Sequence, residues 1–548
     1  MTEKLALLHP EIVLFITATV VMVLGLSRRV AVRKSCAAIT GLGLLIAAWL
    51  AWDSPMMTGM FPGLLPYGKT VVVVISLLIL PLLTGVVDRD YEADVAKGEM
   101  FDPLRSMRGE FYSFFLFSVI GVLLCVSADD LIWLFLALEL TSLPTYVMVA
   151  TSSKRLRAQE AGVKYFFLGA LGAAIFLYGF AMLYGATGTT NIPEIAQSLT
   201  VNGISPIATL GVVLAIVGVS FKIAAAPMHF YTPDVYQGAA SPVAAYLAFA
   251  PKAAGFFALM HILSTVGWTH GADGTALPAD IRVVLWVMAA LTMTVGNVLA
   301  LLQSSVKRLL AYSSIAHSGY MLTGLLVGPA LIAQSVSPES VAAQNGLAAM
   351  LFYLFTYGVM TVGVFAVISC LETRTPRNTE IELDSIEDLK GLCRRQPVLG
   401  WALVLCSLSL LGMPPLLGFF GKLFLFTSVI AAHEYVLVVV MAINAAIGAV
   451  YYLRLALGPL VDEPNEFRPR ARLIVSYPRK VTAVVSAVGV VALVLWTTPI
   501  QFASNSATLA PGSGDGGAPL ALESVVTGKR SGGSEITDDS LLPVHNPE

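Results

Sequence analysis

The feature that most constrains this chain is a succession of apolar runs. Each is about 20 residues long, the length an α-helix needs to cross a hydrocarbon core ~30 Å thick. About fourteen can be read, near 9–27, 35–52, 69–87, 110–127, 131–150, 161–185, 206–226, 241–265, 281–302, 309–328, 342–371, 398–432, 433–458 and 480–500. In lipid such runs satisfy their backbone polar groups only as helices, so the expected fold is an all-α polytopic membrane protein. Charge agrees: 12% of the 548 residues are Asp, Glu, Lys or Arg, about half the share in soluble domains. A net charge of −2 leaves no basic face for nucleic acid. The five cysteines (Cys36, Cys125, Cys370, Cys393, Cys406) are scattered without a CxxC. That spacing predicts neither a metal or iron–sulfur site nor a disulfide framework.

Basic residues set the orientation. Arg28, Arg29, Arg33, Lys34, Lys154, Arg155, Arg157, Lys307, Arg308, Arg394 and Arg395 fall in loops on one side, expected to be cytoplasmic. The other side holds only Lys4, Lys69, Arg282, Lys529 and Arg530, which places both termini outside. The first run carries Glu11 and has no small-residue cleavage site after it, so it reads as a span and not as a signal peptide. Residues 501–548, with PGSGDGGAP and KRSGGS, read as a disordered polar tail. The mixed-charge stretches 88–109 and 372–397 read as cytoplasmic surface, solvated or meeting a partner.

Five basic residues lie inside the runs: Lys164, Lys222, Lys252, Lys422 and Arg454. A charge at the bilayer centre costs ~2.5–3.5 kcal/mol on insertion scales and persists where it lines a polar interior. Glu139 stands about 13 Å into its helix and Lys252 about 16 Å into its own, too deep to snorkel out. Lys222 and Lys422 sit beside helix-breaking stretches. Pro227, His229, Tyr231, Pro233 and Asp234 follow Lys222, and GMPPLLGFFG precedes Lys422. Two interrupted apolar segments in corresponding halves of a chain point to an ion pathway; the plainer reading is a pair of proline kinks with incidental lysines. Lys164 has Glu160 one turn before it, where a simple ion pair suffices, and Arg454 ends its span, where it snorkels. His317 reads either as a satisfied histidine between helices or as a relay station, since its ordinary pKa near 6.5 permits proton exchange.

Lysine and glutamate suit proton transfer. A lysine in low dielectric is driven toward its neutral form by desolvation, and a nearby carboxylate opposes this. Separating such a pair converts an acceptor into a donor. A swing of about three pKa units is worth ~4 kcal/mol, comparable with lifting one charge through ~180 mV. Arginine does not release its proton.

At these residues the chain resembles subunit N of bacterial respiratory complex I, the NADH:quinone oxidoreductase, whose mitochondrial counterpart is NADH dehydrogenase subunit 2. The resemblance is carried by HPEIVL, SADDLIWLFLALELTSLPTYV around Glu139, and EAGVKYFFLGALGAAIFLYG. It continues in FKIAAAPMHFYTPDVYQGAASPVAAYLAFAPKAAGF around Lys222 and Lys252, in SSVKRLLAYSSIAHSGYML, and in GMPPLLGFFGKLFLF around Lys422. It implies fourteen helices with two inverted five-helix repeats, broken seventh and twelfth helices, and a proton path along the bilayer midplane. Glu139, Lys222, Lys252 and Lys422 fall on the family's four proton-path positions. Lysine at 422 separates the chain from the similar subunit M, which has glutamate there, and the missing lateral helix separates it from subunit L.

The implied organisation is 1–109, three helices and a linker; 110–270, the first repeat; 271–460, the second repeat; 461–500, a loop and the last helix; and 501–548, the tail. The implied function is that of a proton-translocating subunit without redox chemistry of its own, in a bacterial inner membrane. FMN, iron–sulfur clusters and quinone are expected in partner subunits, and subunits M, K and J are the expected neighbours. The alternatives are a subunit of a multisubunit cation/proton antiporter, which PDVYQGAASP and Lys422 argue against, and a structural subunit whose charges no longer pump.

Overall fold

The computed structural model describes residues 7–56, 61, 63–98, 100–153, 155–271, 276–329, 345–374, 380–382, 384–462 and 476–508. Most of the segment expected as a tail, 509–548, lies outside them. Helices α1 (His9–Gly25), α2 (Val30–Trp52) and α3 (Leu64–Leu83) precede a short α4 (Arg89–Ala96). Then come α5 (Arg108–Val126), α6 (Leu131–Thr151), α7 (Leu156–Thr187), α8 (Ile192–Asn202), α9 (Pro206–Ser220), α10 (Thr232–Gly238) and α11 (Ser241–Ser264). The second half contains α12 (Ala279–Leu301), α13 (Val306–Val327), α14 (Gly346–Cys370), a four-residue α15 (Leu392–Arg395), α16 (Pro397–Leu411) and α17 (Leu417–Ala431). It closes with α18 (Tyr435–Val461), α19 (Tyr477–Ala492) and α20 (Thr497–Thr508).

The protein is an all-α, multi-pass membrane fold. Ten of the described helices are long and apolar enough to cross a bilayer. Four more, α1, α9, α16 and α17, are apolar but shorter, and α13 has 22 residues but carries Lys307, Arg308 and His317. The apolar run at 398–432 is two helices of 15 residues each. Outside the bundle, Glu372–Arg374 pairs antiparallel with Glu380–Glu382.

Burial separates inner from outer helices. Every residue of α11 is buried, as is 94% of the apolar window of α14, against 33% in α2, α7, α18 and α19. A helix that is apolar all round belongs at the centre, and α11 packs against α3, α5, α6, α9, α13 and α14.

Small residues let neighbouring backbones touch, as in membrane bundles generally. A Cβ on Gly218 of α9 would press on the backbone nitrogen of Phe176 in α7, and one on Gly179 would lie 2.6 Å from the nitrogen of Ala215. The α12–α13 pair repeats the device, with Gly296 facing the backbone of Ala316 and Gly319 facing that of Met293.

Local chemistry fixes the ends. Asp130 caps α6, accepting from the Ile132 N–H at 2.7 Å, and its other oxygen takes the Thr190 hydroxyl at 2.5 Å. In the 88–109 stretch, Asp88 accepts from the N–H groups of Met107 and Arg108 at 2.9 Å, capping α5. Two expectations change. Lys69, counted with the outer loops, is fully buried within α3. The chain stays helical to Thr508, eight residues beyond the 500/501 boundary, because Ser and Ala let α20 pack on α3 and α14, where Asn345 donates to the Thr508 hydroxyl at 2.8 Å.

Candidate functional site

Between Ser220 and Thr232 the chain leaves helical geometry. Ala224 there has φ 55°, a conformation rare outside glycine. In lipid, non-helical backbone survives only where protein supplies partners, and here it does. The Tyr231 hydroxyl donates to the Phe221 carbonyl at 2.7 Å, and the Ala226 N–H donates to the Thr292 hydroxyl at 3.0 Å. Lys222 is the second residue of this segment. Its buried ammonium donates to Glu139 Oε1 at 2.9 Å and to the Ser142 hydroxyl at 2.7 Å, both on α6. Glu139 is 19% exposed and Lys222 1%, so the carboxylate sits at the rim of the bundle and the lysine inside it.

Lys252 is buried in α11, next to Pro251. It donates to the Ser314 carbonyl and, at 2.7 Å, to the Ser318 hydroxyl, both on α13. Ser318 in turn donates to the Ile223 carbonyl at 2.5 Å, so one hydroxyl links Lys252 to the non-helical segment after Lys222. A small cavity lined by Lys222, Tyr231, Tyr236 and Lys252 separates the two lysines, with room for about one water.

His317, one turn from Ser314, lies between two tyrosines. Its Nδ1 is 2.6 Å from the Tyr353 hydroxyl and its Nε2 2.6 Å from the Tyr452 hydroxyl. A neutral imidazole has one donor and one acceptor nitrogen, so one tyrosine donates and the other accepts. Tyr357 donates to the Ser314 hydroxyl at 2.8 Å and turns its ring toward Lys252, whose nitrogen is 5.4 Å from the ring centre.

Lys422 lies in α17, just past the non-helical Gly412–Leu416. Gly412 has φ 92°. The last carbonyls of α16 have no helical partner, and the Lys422 ammonium takes them, donating to Leu410 at 3.1 Å and Leu411 at 2.7 Å. Such a cation also sits favourably at the negative end of the helix dipole. Its nitrogen is 5.5 Å from the Tyr320 ring centre. Among the described residues, neither Lys252 nor Lys422 has a carboxylate partner.

The structure thus brings Glu139 and Lys222 into contact and strings Lys252, His317 and Lys422 along the buried helices beyond them. Lys164 stays half-exposed, paired with Glu160 at 2.8 Å and Asp234 at 3.1 Å. Arg454 is exposed and donates to the Leu301 carbonyl at 3.2 Å. Sequence reasoning missed Ser142, Ser314, Ser318, Tyr353, Tyr357 and Tyr452. A signal existed in α13, where Ser314, His317 and Ser318 recur at helical spacing on an otherwise apolar face.

The NADH:quinone oxidoreductase/Mrp antiporter transmembrane family model matches residues 128–448. An NADH-quinone oxidoreductase subunit N from Desulforamulus reducens is 33% identical over 512 residues, covering 92% of this chain and 98% of the relative. A chain of respiratory complex I from Thermus thermophilus, solved with bound aureothin, superposes with a TM-score of 0.71 at 32% identity, covering 91% of this chain and 99% of that one. The Mrp complex from Dietzia shares the fold at 20% identity, with a TM-score of 0.71 over 93% of this chain and 97% of its own. With the family model spanning more than half its length and a relative matched almost end to end, the chain belongs to the subunit N family of these antiporter-like membrane proteins.

Proposed function

We propose that this chain is a proton-translocating subunit of a complex I-type NADH:quinone oxidoreductase in a bacterial inner membrane. Protons move through Glu139, Lys222, Lys252, His317 and Lys422, while the redox groups belong to partner subunits, with subunits M, K and J as neighbours. The observation that carries this reading is the Glu139–Lys222 pair at 2.9 Å, buried on the lysine side and placed where the chain interrupts a helix.

The chemistry follows from the surroundings of each lysine. A carboxylate stabilises a protonated amine and low dielectric destabilises it, so a change in the Glu139–Lys222 separation alters where a proton rests. Lys252 and Lys422 are held by carbonyl and hydroxyl oxygens, dipoles that support a transient ammonium without binding it as strongly as an anion would. The tyrosine hydroxyls on both nitrogens of His317 donate and accept equally well, which suits a station that passes a proton by exchanging tautomers.

The wider architecture fits the same reading. Counting α9 with α10 and α16 with α17 as two interrupted helices gives fourteen spans, with 110–270 and 271–460 as the two inverted repeats and both termini outside. Each half then contains one interruption, one buried lysine beside it, and one glycine-packed helix pair, α7–α9 or α12–α13.

Lys422 provides the test. Lys422→Met keeps length and apolar bulk, and Lys422→Arg keeps the charge but does not release a proton. Both complexes should assemble and pump poorly, while Lys164→Met, removing an ion pair at the bundle surface, should lose less. Full pumping by both Lys422 variants would show that the α16–α17 interruption is a packing feature. Mass spectrometry of the chains that co-purify separates the complex I reading from a multisubunit cation/proton antiporter.

A further inference from the structure

Among the described residues, a buried ion pair between Glu11 and Lys69 stands outside the relay. Glu11, in HPEIVL at the start of α1, and Lys69, in the second turn of α3, are 5% and 0% exposed. Lys69 Nζ lies 2.6 Å from Glu11 Oε1 and donates to the Leu7 carbonyl at 2.6 Å. Glu11 Oε2 is buried and has no hydrogen-bond partner among the described residues. Burying two charges is costly, and replacing such a pair with apolar residues is often neutral or stabilising. The pair is therefore poorly explained as a stabilising staple. Its free carboxylate oxygen is a ready proton acceptor.

Its place in the fold connects it to the relay. Glu11 is near the start of α1 and Lys69 near the start of α3, at the end of the bundle opposite the Arg28–Arg29 turn. His261, near the end of α11, lies at this same end, nine positions after Lys252 on one helix. Its Nε2 is 3.2 Å from the Val126 carbonyl at the end of α5. Gly68 packs on the same residue: a Cβ there would lie 2.9 Å from the Val126 side chain and 3.3 Å from the Phe257 ring. The turn carrying Lys69 thus rests on the α5–α11 contact that holds His261. On the other side of the pair, His9 is exposed and only two residues from Glu11.

We propose that Glu11 and Lys69 form a proton-release site at the outer end of the N-terminal helices, receiving protons from the Lys252 station by way of His261 and passing them to the surface at His9. Lys69 passes its proton to Glu11, Glu11 releases it toward the outer solution at His9, and the next proton, arriving by way of His261, returns Lys69 to its ammonium form and restores the ion pair. This rests on the relay reading and orientation proposed above.

The test uses the intact complex in proteoliposomes, following NADH oxidation and proton release together. Lys69→Arg keeps the charge and a partner for Glu11 but does not release its proton. Glu11→Leu with Lys69→Met removes the pair and leaves no unpaired buried charge. Both complexes should assemble and show a loss of proton release per NADH oxidised. Unchanged proton release in Lys69→Arg overturns the proposal, and so does failure of both variants to assemble, which would assign the pair to folding. Glu139→Gln is run alongside. If it too pumps normally, the relay reading itself fails; if it pumps poorly while the Lys69 variants pump normally, only the release site is lost.

Discussion

Replacing Glu139 with glutamine probes the centre of the site with little change of shape. At 2.9 Å and an effective dielectric of about 20, the attraction between the two charges is ~6 kcal/mol. Partial exposure of Glu139 screens this, so about half, ~3 kcal/mol, is a fair figure for the charge that Gln removes. That equals the work of moving one charge through ~130 mV, enough to matter to a pump working against a membrane potential. Assembly should survive, because the Ser142 hydroxyl, 2.7 Å from Lys222, remains and the glutamine carbonyl replaces one carboxylate oxygen. In proteoliposomes, NADH oxidation is measured with a ΔpH-sensitive dye, and the expected result is intact complex with strongly reduced pumping. Quinone turnover falls with it if the two are tightly coupled. Lys222→Met should give a similar loss and the double variant little more, since groups acting as one unit are not additive. Normal pumping per NADH in Glu139→Gln, or full additivity in the double variant, would refute the assignment.

Other outcomes test orientation and packing. Cys393 is the one cysteine that is not buried, and the proposed orientation places its loop, with Lys390, Arg394 and Arg395, inside; an impermeant thiol reagent should label it only from the cytoplasmic side, and periplasmic labelling would invert the topology. Gly218→Val would drive a side chain into the Phe176 backbone, so it should destabilise the chain by ~1–3 kcal/mol or more and reduce assembled complex on native gels; normal assembly would show that α7 and α9 separate freely. Ser318→Ala removes the hydroxyl between Lys252 and the Ile223 carbonyl. It should cost ~1–3 kcal/mol as buried partners go unmet and lower pumping more than Ser428→Ala, a buried serine bonded only within its own helix; equal effects would remove Ser318 from the path.

The run lengths and the charges inside them are legible in the sequence alone, for a local reason. Whether 20 apolar residues cross a bilayer depends on backbone hydrogen bonds made within the segment, and the cost of an intramembrane lysine depends on its depth in its own helix. The interruptions are legible too, because proline and glycine act on their immediate neighbours. What the tertiary structure decided is partnership. Glu139 meets Lys222 from 83 positions away, and no local rule chooses between that lysine and Lys252. The choice follows from which helices approach closely, set by glycine faces such as Gly162 on Ala150, which joins α7 to α6, and Gly179 on Ala215, which joins α7 to α9. Lys69 shows the same limit. Its position near a run's start suggests an outer loop, and only the packing of α1 on its neighbours gives it Glu11 as a partner. Composition marks 501–508, most of α20, as tail because polarity is a property of sequence, whereas its fit against α3 and α14 is a property of surfaces that exist only once the bundle has formed.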